Sequence, residues 1–173
     1  TIEDDDIQAV IEVLKSDFLT TGPKSTEFEE AVKSYTGSRY AVAISNGTSA
    51  LHAACYAAGI GPGDEVITTP LTFAASANCI LYCGGTPVFA DIDSKTYNID
   101  PADIERKITA KTKAIIPVDI AGFPCDYEKI MALVQESEMI KLFRAESSVQ
   151  EKLGRILVMN DAAHSLGARY SSR

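Results

Sequence analysis

The sequence has 173 residues, 46% of them hydrophobic and 23% charged, which is the composition of a globular protein with one substantial core. Its net charge is −8 and its lysines and arginines are scattered, which excludes the basic surface that nucleic-acid binding needs. We also expect no membrane span and no signal peptide, because no apolar run approaches the roughly 20 residues of a spanning helix.

Two helices are predicted in the N-terminal segment, residues 1–36. Apolar residues recur at helical spacing from Ile7 to Leu14, and acidic residues before them suit the positive end of the helix dipole. Residues 18–23 then form a loop. The spacing of Thr26 and Glu29 fits a capping box and predicts the start of the second helix, which Gly37 ends.

The remaining segment, residues 37–173, alternates short apolar strands with helices. Strands are predicted at residues 40–45, 65–69, 87–91, 114–118 and 156–159. Helices are predicted between them at residues 48–58, 74–83, 101–108 and 127–136, the third of them capped by Asp100 before Pro101. This alternation is typical of an α/β fold with three layers, in which helices cover both faces of a mostly parallel sheet.

One connection, residues 137–155, is longer than is usual in such a fold. Its apolar residues have helical spacing, and Ser148 with Glu151 fits another capping box. We interpret it as a helical insertion on the surface.

The turn that contains Gly47, Thr48 and Ser49 leads from a predicted strand into a helix. Gly47 permits the turn, and Thr48 or Ser49 lies where a helix cap is expected. The first amides of a helix lack partners and lie at the positive end of its dipole, so this turn is a candidate phosphate site. A plain Ser/Thr cap is the simpler alternative.

Two other candidate groups follow strands, at the edge where parallel sheets bind ligands. Phe73 follows the second predicted strand, and Asp161 and His164 follow the last. A phosphorylated aromatic heterocycle such as pyridoxal phosphate would place its phosphate on the helix, its ring on Phe73 and its basic nitrogen against Asp161. Taken singly, Phe73 could be a core residue, Asp161 a helix cap and His164 a rim residue.

Segments throughout the chain resemble the DegT-type nucleotide-sugar aminotransferases, which have the fold-type-I pyridoxal-phosphate fold. They occur in family order at residues 18–23, 45–51, 63–67, 72–78, 85–89, 91–93, 113–118 and 161–168. The sequences of these segments are most similar to those of the UDP-sugar 4-aminotransferases of the pseudaminic acid pathway. The resemblance implies that the chain is the N-terminal part of the large domain.

The resemblance also implies roles for the candidate residues. Pyridoxal 5'-phosphate would bind through its phosphate to Gly47, Thr48 and Ser49 and stack on Phe73. Asp161 would pair with the pyridine nitrogen, and His164 would reach the phenolic oxygen. The residues expected near the substrate are Thr20, Thr21 and Gly22.

The expected substrates are a nucleotide-linked keto sugar and an amino-acid donor, usually glutamate, in surface-polysaccharide or glycan biosynthesis. The resemblance also implies an obligate homodimer, in which residues 18–23 would lie near the partner subunit.

The chain departs from the family pattern in three ways. Asn160 stands where an acidic residue is usual, and most members lack residues 137–155. The cofactor-bound lysine of the family, in a Ser-x-His-x-x-Lys segment, does not occur before Arg173, so we expect a truncated piece of a longer enzyme. The alternatives are a non-catalytic protein that binds the cofactor or a sugar nucleotide, and another fold-type-I class such as a cysteine desulfurase.

The four cysteines, at positions 55, 79, 83 and 125, form no Cys-x-x-Cys pair, and only two histidines accompany them. We therefore expect no metal site. Free thiols suit a reducing compartment, which favours the cytoplasm.

Overall fold

The computed structural model describes residues 1–170, which fall into two compact units, Thr1–Ser45 and the part from Asn46 onward. The first unit contains helices α1 (Asp4–Leu14) and α2 (Pro23–Thr36). No helix among residues 1–170 has the length and apolar character that a membrane span requires.

The start of α2 differs from the prediction. The helix begins at Pro23, which has no amide hydrogen to satisfy at a first helical position. The capping box predicted at Thr26 is therefore wrong, because Thr26 already lies inside the helix. Gly37 ends α2 in a left-handed conformation, φ +70°, as predicted.

The strand predicted at residues 40–45 does not form. Tyr40 is 79% exposed and Val42 is 76% exposed, and no strand within residues 1–170 pairs with this segment. A side chain supplies one backbone partner instead, since the Ala43 amide donates to Glu29 Oε1 at 2.8 Å. β-branched and aromatic residues favour a strand, but the strand forms only where a neighbour pairs its backbone.

The second unit is built on a parallel sheet of four strands in the order β2-β1-β3-β4. The strands are β1 (Glu65–Thr68), β2 (Thr86–Phe89), β3 (Thr112–Ile116) and β4 (Leu157–Val158). The helices are α3 (Gly47–Ala57), α4 (Ala75–Tyr82), α5 (Pro101–Lys107), α6 (Tyr127–Gln135), α7 (Ser137–Leu142) and α8 (Ser148–Leu153). The predicted α/β class is confirmed.

Alternate residues of the central strands pack into two separate core clusters, one on each face of the sheet. Val66, Ala114 and Ile116 pack with residues of α3 and α4. Ile67 and Ile115 pack with residues of α5 and α6. Because successive strand residues point to opposite faces, the sheet is covered on both sides, as the predicted three-layer arrangement requires.

Residues 137–155 are largely helical, as predicted, and form α7 and α8. Their placement on the surface is only partly right, because Phe143 and Gln150 are buried. Phe143 belongs to the core cluster of α5 and α6. The cap of α8 is Ser147 rather than Ser148, with the Gln150 amide donating to its hydroxyl at 3.3 Å.

Gln150 joins this insertion to the amino edge of the sheet. Its side-chain amide donates to Asp64 Oδ2 at 2.9 Å and to the Gly59 carbonyl at 2.8 Å. The buried Lys113 ammonium lies 3.9 Å from Asp64 Oδ1. This buried polar cluster therefore connects α8, the residues after α3 and the beginnings of β1 and β3.

We predict that Gln150→Ala lowers the free energy of unfolding by about 2–4 kcal/mol, because it leaves buried acceptors on Asp64 and Gly59 without their donor. Urea titration followed by circular dichroism measures the change. Glu151→Ala, at an exposed position of the same helix, is the matched control and should stay within about 0.5 kcal/mol. Equal stability of the two variants would contradict the role assigned to Gln150.

Candidate functional site

The carboxyl ends of β3 and β4 bring Asp161 to the centre of the candidate site. The parallel pairing of these strands continues beyond them as a bridge between Val118 and Asp161. The Asp161 amide donates to the Pro117 carbonyl at 2.9 Å. The backbone of Asp161 is thus fixed by the sheet, while its side chain is partly exposed.

A buried hydroxyl joins Asp161 to the segment that follows β1. Ser76 Oγ lies 2.8 Å from Asp161 Oδ2 and 2.8 Å from the Thr72 hydroxyl. An ionised carboxylate can only accept hydrogen bonds. Ser76 therefore donates to Asp161, and Thr72 donates to Ser76.

Phe73 lies in the same cluster and exposes its ring. Its carbonyl is 3.3 Å from Ser76 Oγ, so one hydroxyl lies beside both the Phe73 backbone and the Asp161 carboxylate. The side chain is 77% exposed. The alternative that Phe73 is a core residue is therefore wrong.

The start of α3 leaves polar groups available to a ligand. The helix cap is Asn46, whose side chain accepts from the Ser49 amide at 2.8 Å, and not Thr48 or Ser49. In the described part of the chain, the amides of Gly47 and Thr48 and the hydroxyls of Thr48 and Ser49 have no hydrogen-bond partner. The helix end therefore keeps the donors that bind anions.

The direction of α3 follows from the contacts of its other end. Gly59, two residues after α3, contacts Gln150 in the polar cluster at the amino edge of the sheet. Eleven helical residues span about 16 Å, about the length of the strands that the helix covers. We infer that α3 begins at the carboxyl edge, on the same side of the sheet as Asp161.

Asp119, which follows β3, is a buried carboxylate that accepts four hydrogen bonds. The donors are the Cys125 amide at 2.9 Å, the Tyr127 hydroxyl at 2.7 Å, the Asn160 amide group at 3.0 Å and the Ser165 hydroxyl at 2.7 Å. An acidic residue at position 160 would place a second negative charge against Asp119.

These hydrogen bonds set the charge state of Asp119. Burial alone would raise its pKa, but the bonds from Cys125, Tyr127, Ser165 and Asn160 outweigh burial and hold the pKa below its ordinary value. The contribution of the ionised Asp119 carboxylate to the stability of the fold is therefore complete at neutral pH. It is lost as the pH falls through the pKa of Asp119 in the folded protein. Burial and the nearby Asp119 charge raise the pKa of the Cys125 thiol to about 12, so that this group stays protonated.

His164 is exposed and lies in the loop after Asp161. The loop packs closely on the turn after β3, where Gly122 has φ +82°. A Cβ atom at Gly122 would lie 2.8 Å from the His164 carbonyl oxygen, so only glycine fits. The structure therefore places the His164 backbone against the turn after β3, in the same loop as Asp161, and the role of His164 toward a ligand stays a prediction.

Thr20, Thr21 and Gly22 belong to the N-terminal unit. They line a cavity of about 340 Å³ together with residues of α1 and α2. A Cβ atom at Gly22 would lie 2.7 Å from Phe18 Cβ, which explains the glycine. Their assignment to the substrate stays a prediction.

Three residues of the cluster were not identified from the sequence: Asn46, Ser76 and Asp119. Asn46 was detectable, because it is a favoured cap residue three positions before Ser49. Asp119 directly follows a strand at the carboxyl edge, which is a signal for a functional position. Nothing local distinguishes Ser76, because its partner Asp161 is 85 positions away.

Comparison with known proteins supports a common family. The model of the DegT/DnrJ/EryC1/StrS aminotransferase family matches residues 1–173. GDP-perosamine synthase of Caulobacter vibrioides is 41% identical over 165 residues, which are 95% of this chain and 40% of that protein.

Two solved structures extend this likeness to the fold. The PLP form of Spr1654 from Streptococcus pneumoniae has a TM-score of 0.92 and 38% identity, over 96% of this chain and 42% of that one. PseC of Helicobacter pylori, an aminotransferase involved in pseudoaminic acid biosynthesis, has a TM-score of 0.82 and 34% identity, over 100% of this chain and 42% of that one. The chain thus spans about two fifths of the proteins that it matches.

We predict that Ser76→Ala lowers the free energy of unfolding by about 1–3 kcal/mol, because a buried hydrogen bond to a charged group is lost. Guanidinium titration at neutral pH measures this change. Thr72→Val, which removes only the outer hydroxyl and keeps the shape of the side chain, should have the smaller effect. A larger loss in Thr72→Val than in Ser76→Ala would contradict the direction of donation inferred for the two hydroxyls.

Proposed function

The chain belongs to the DegT/DnrJ/EryC1/StrS aminotransferase family, and from that membership we propose that the protein containing it is a pyridoxal-phosphate-dependent sugar aminotransferase. It transfers an amino group from glutamate to a nucleotide-linked keto sugar in surface-polysaccharide or glycan biosynthesis. The observation that carries the proposal is the cluster in which Ser76 joins Asp161 to the segment of the exposed Phe73.

The residues present fit pyridoxal phosphate. The Gly47 and Thr48 amides and the Thr48 and Ser49 hydroxyls have no protein partner among the described residues and suit a phosphate group. The exposed ring of Phe73 offers an apolar face for a heterocycle. Each oxygen of Asp161 accepts one hydrogen bond, from Ser76 or from the Ala163 amide, and keeps capacity for another donor.

Asp161 has the central chemical role in this proposal. Its carboxylate holds a proton on the ring nitrogen, because a negative charge beside a basic nitrogen stabilises the protonated form. Pyridoxal phosphate held here would supply an electron sink, which protonation of its ring nitrogen beside Asp161 would strengthen. Ser76 fixes the carboxylate, while Phe73 limits the position of the ring.

The other residues bind and orient. The Gly47 and Thr48 amides and the Thr48 and Ser49 hydroxyls anchor the phosphate, at the positive end of the α3 dipole. His164 donates to the phenolic oxygen from the loop that carries Asp161. The lysine that binds the cofactor covalently lies outside this chain. The one buried lysine of the described second unit, Lys113, is held at the amino edge by Asp64.

The names of the relatives support the substrate class. One relative is named a GDP-perosamine synthase, and PseC is an aminotransferase involved in pseudoaminic acid biosynthesis. We propose that Thr20, Thr21 and Gly22 contact the sugar nucleotide. A homodimer in the cytoplasm, with residues 18–23 near the partner subunit, completes the proposal.

We predict that Asp161→Asn in the full-length protein lowers kcat by about 10²-fold or more while the protein still retains the cofactor. The substitution keeps the shape of the side chain but removes the charge that holds the proton on the ring nitrogen. Steady-state kinetics and the cofactor absorbance after dialysis measure the two effects. Glu105→Gln, which removes an exposed charge from α5, is the control. Wild-type turnover in Asp161→Asn would disprove this role of Asp161.

We predict that Thr48→Ala raises the cofactor dissociation constant about tenfold or more, because one hydrogen bond to the phosphate is lost. The unfolding free energy of the apoprotein should change by less than about 0.5 kcal/mol, because Asn46 caps the helix. Fluorescence titration and urea unfolding measure these quantities. Ser148→Ala, an exposed hydroxyl at the start of α8, should change neither. Unchanged cofactor affinity in Thr48→Ala would remove Thr48 from the phosphate site.

A further inference from the structure

The Asp119 carboxylate has no part in the proposed reaction. It nevertheless accepts more hydrogen bonds from the described residues than Asp161 does. It is 2% exposed, and all four of its partners donate to it. A carboxylate needs several donors to remain charged inside a protein, and here it has them.

The two oxygens of Asp119 face different loops. Oδ1 accepts from Cys125 and Tyr127, which belong to the connection after β3 and the first turn of α6. Oδ2 accepts from Asn160 and Ser165, which belong to the loop after β4. One side chain therefore ties the loop after β4 to the better-buried structure around β3.

The two donors to Oδ2 enclose the residues of the candidate site. Asn160 immediately precedes Asp161, and Ser165 immediately follows His164. The backbone adds a further connection, since the Asp119 amide donates to the Asp161 carbonyl at 3.3 Å. The loop that carries Asp161 and His164 is thus held by the Asp119 carboxylate at both of its ends.

We infer that Asp119 is a positioning residue, whose carboxylate holds the 160–165 loop so that Asp161 faces the ring nitrogen of the cofactor and His164 its phenolic oxygen. The inference rests on the proposed function, because that function assigns Asp161 and His164 their roles. Asp119 itself touches neither the cofactor nor the substrate. It acts through Asn160 and Ser165.

An exchange of side chains tests the pairing with Asn160. In Asn160→Asp, two carboxylates face each other across the present 3.0 Å contact and repel. In the double variant Asp119→Asn with Asn160→Asp, an amide and a carboxylate face each other again with the roles reversed. Asp119→Asn alone is mild, because the Asn160 amide group can rotate to accept. Asp119→Ala removes all four hydrogen bonds.

Two measurements on the full-length protein report on positioning. Hydrogen exchange of the apoprotein follows the amides of residues 161–168, several of which are hydrogen-bonded. Fluorescence titration with pyridoxal phosphate gives the dissociation constant. Asn160→Asp and Asp119→Ala should each speed exchange in this loop and raise the dissociation constant at least tenfold. The double variant should return both to within threefold of wild type.

Gln150→Ala is the matched control, because it removes buried hydrogen bonds at the opposite edge of the sheet. It should destabilise the protein while it leaves loop exchange and cofactor affinity within twofold of wild type. If it weakens cofactor binding as much as Asn160→Asp does, the effect is general destabilisation and the inference is wrong.

The remaining outcomes separate the inference from the proposed function. Should Asp119→Ala or Asn160→Asp fail to fold, a folded double variant with normal loop exchange still supports the pairing, and an unfolded one overturns it. If the wild-type protein binds pyridoxal phosphate and Asn160→Asp binds it equally well, the inference is wrong while the proposed function stands. A wild-type protein that binds no pyridoxal phosphate overturns the proposed function, and loop exchange in the apoprotein then still tests the hold of Asp119 on the loop.

Discussion

The parallel pairing of β3 with β4 is the constraint on which the candidate site depends. Parallel strands end at the same edge, so the residues that follow them must lie side by side. The pairing continues as far as Val118 and Asp161, and it delivers Asp119 and Asp161 to neighbouring positions. The segment after β1 adds Phe73, and helix α4, which follows it, adds Ser76. Residues distant in the chain thus meet because three strands run the same way.

Two neighbouring carboxylates repel each other, and in this site the two have different environments. Asp119 is fully buried and has its charge satisfied by protein donors. Asp161 is partly exposed and has two donors among residues 1–170, Ser76 and Ala163, so it retains capacity for a cationic partner. One carboxylate therefore has its hydrogen-bonding capacity filled by the protein, and the other can accept further donors.

The sequence predicted the order of strands and helices, but it misplaced several helix caps and failed where distant contacts decide. Alternating apolar segments predicted the parallel sheet and its covering helices. Because parallel sheets bind ligands at the carboxyl ends of their strands, Phe73 and Asp161 were selected as candidates. Residues 40–45 have a strand pattern but no partner strand among residues 1–170, so the pattern misled. Ser76 and Asp119 act through partners 85 and 46 positions away in sequence, Asp161 and Ser165, which no local rule connects. Phe143 shows the same limit, because only the packed core reveals why the insertion holds an aromatic residue.

The cap of α3 has a consequence for how such a site can change over evolutionary time. Since Asn46 satisfies the Ser49 amide, the helix does not rely on the hydroxyls of Thr48 and Ser49 for its own integrity. Substitutions at these two positions can therefore adjust affinity for an anion without eroding the scaffold. The arrangement separates the residue that caps the helix from the adjacent residues that we propose to bind phosphate, so substitutions at Thr48 and Ser49 carry little risk to folding.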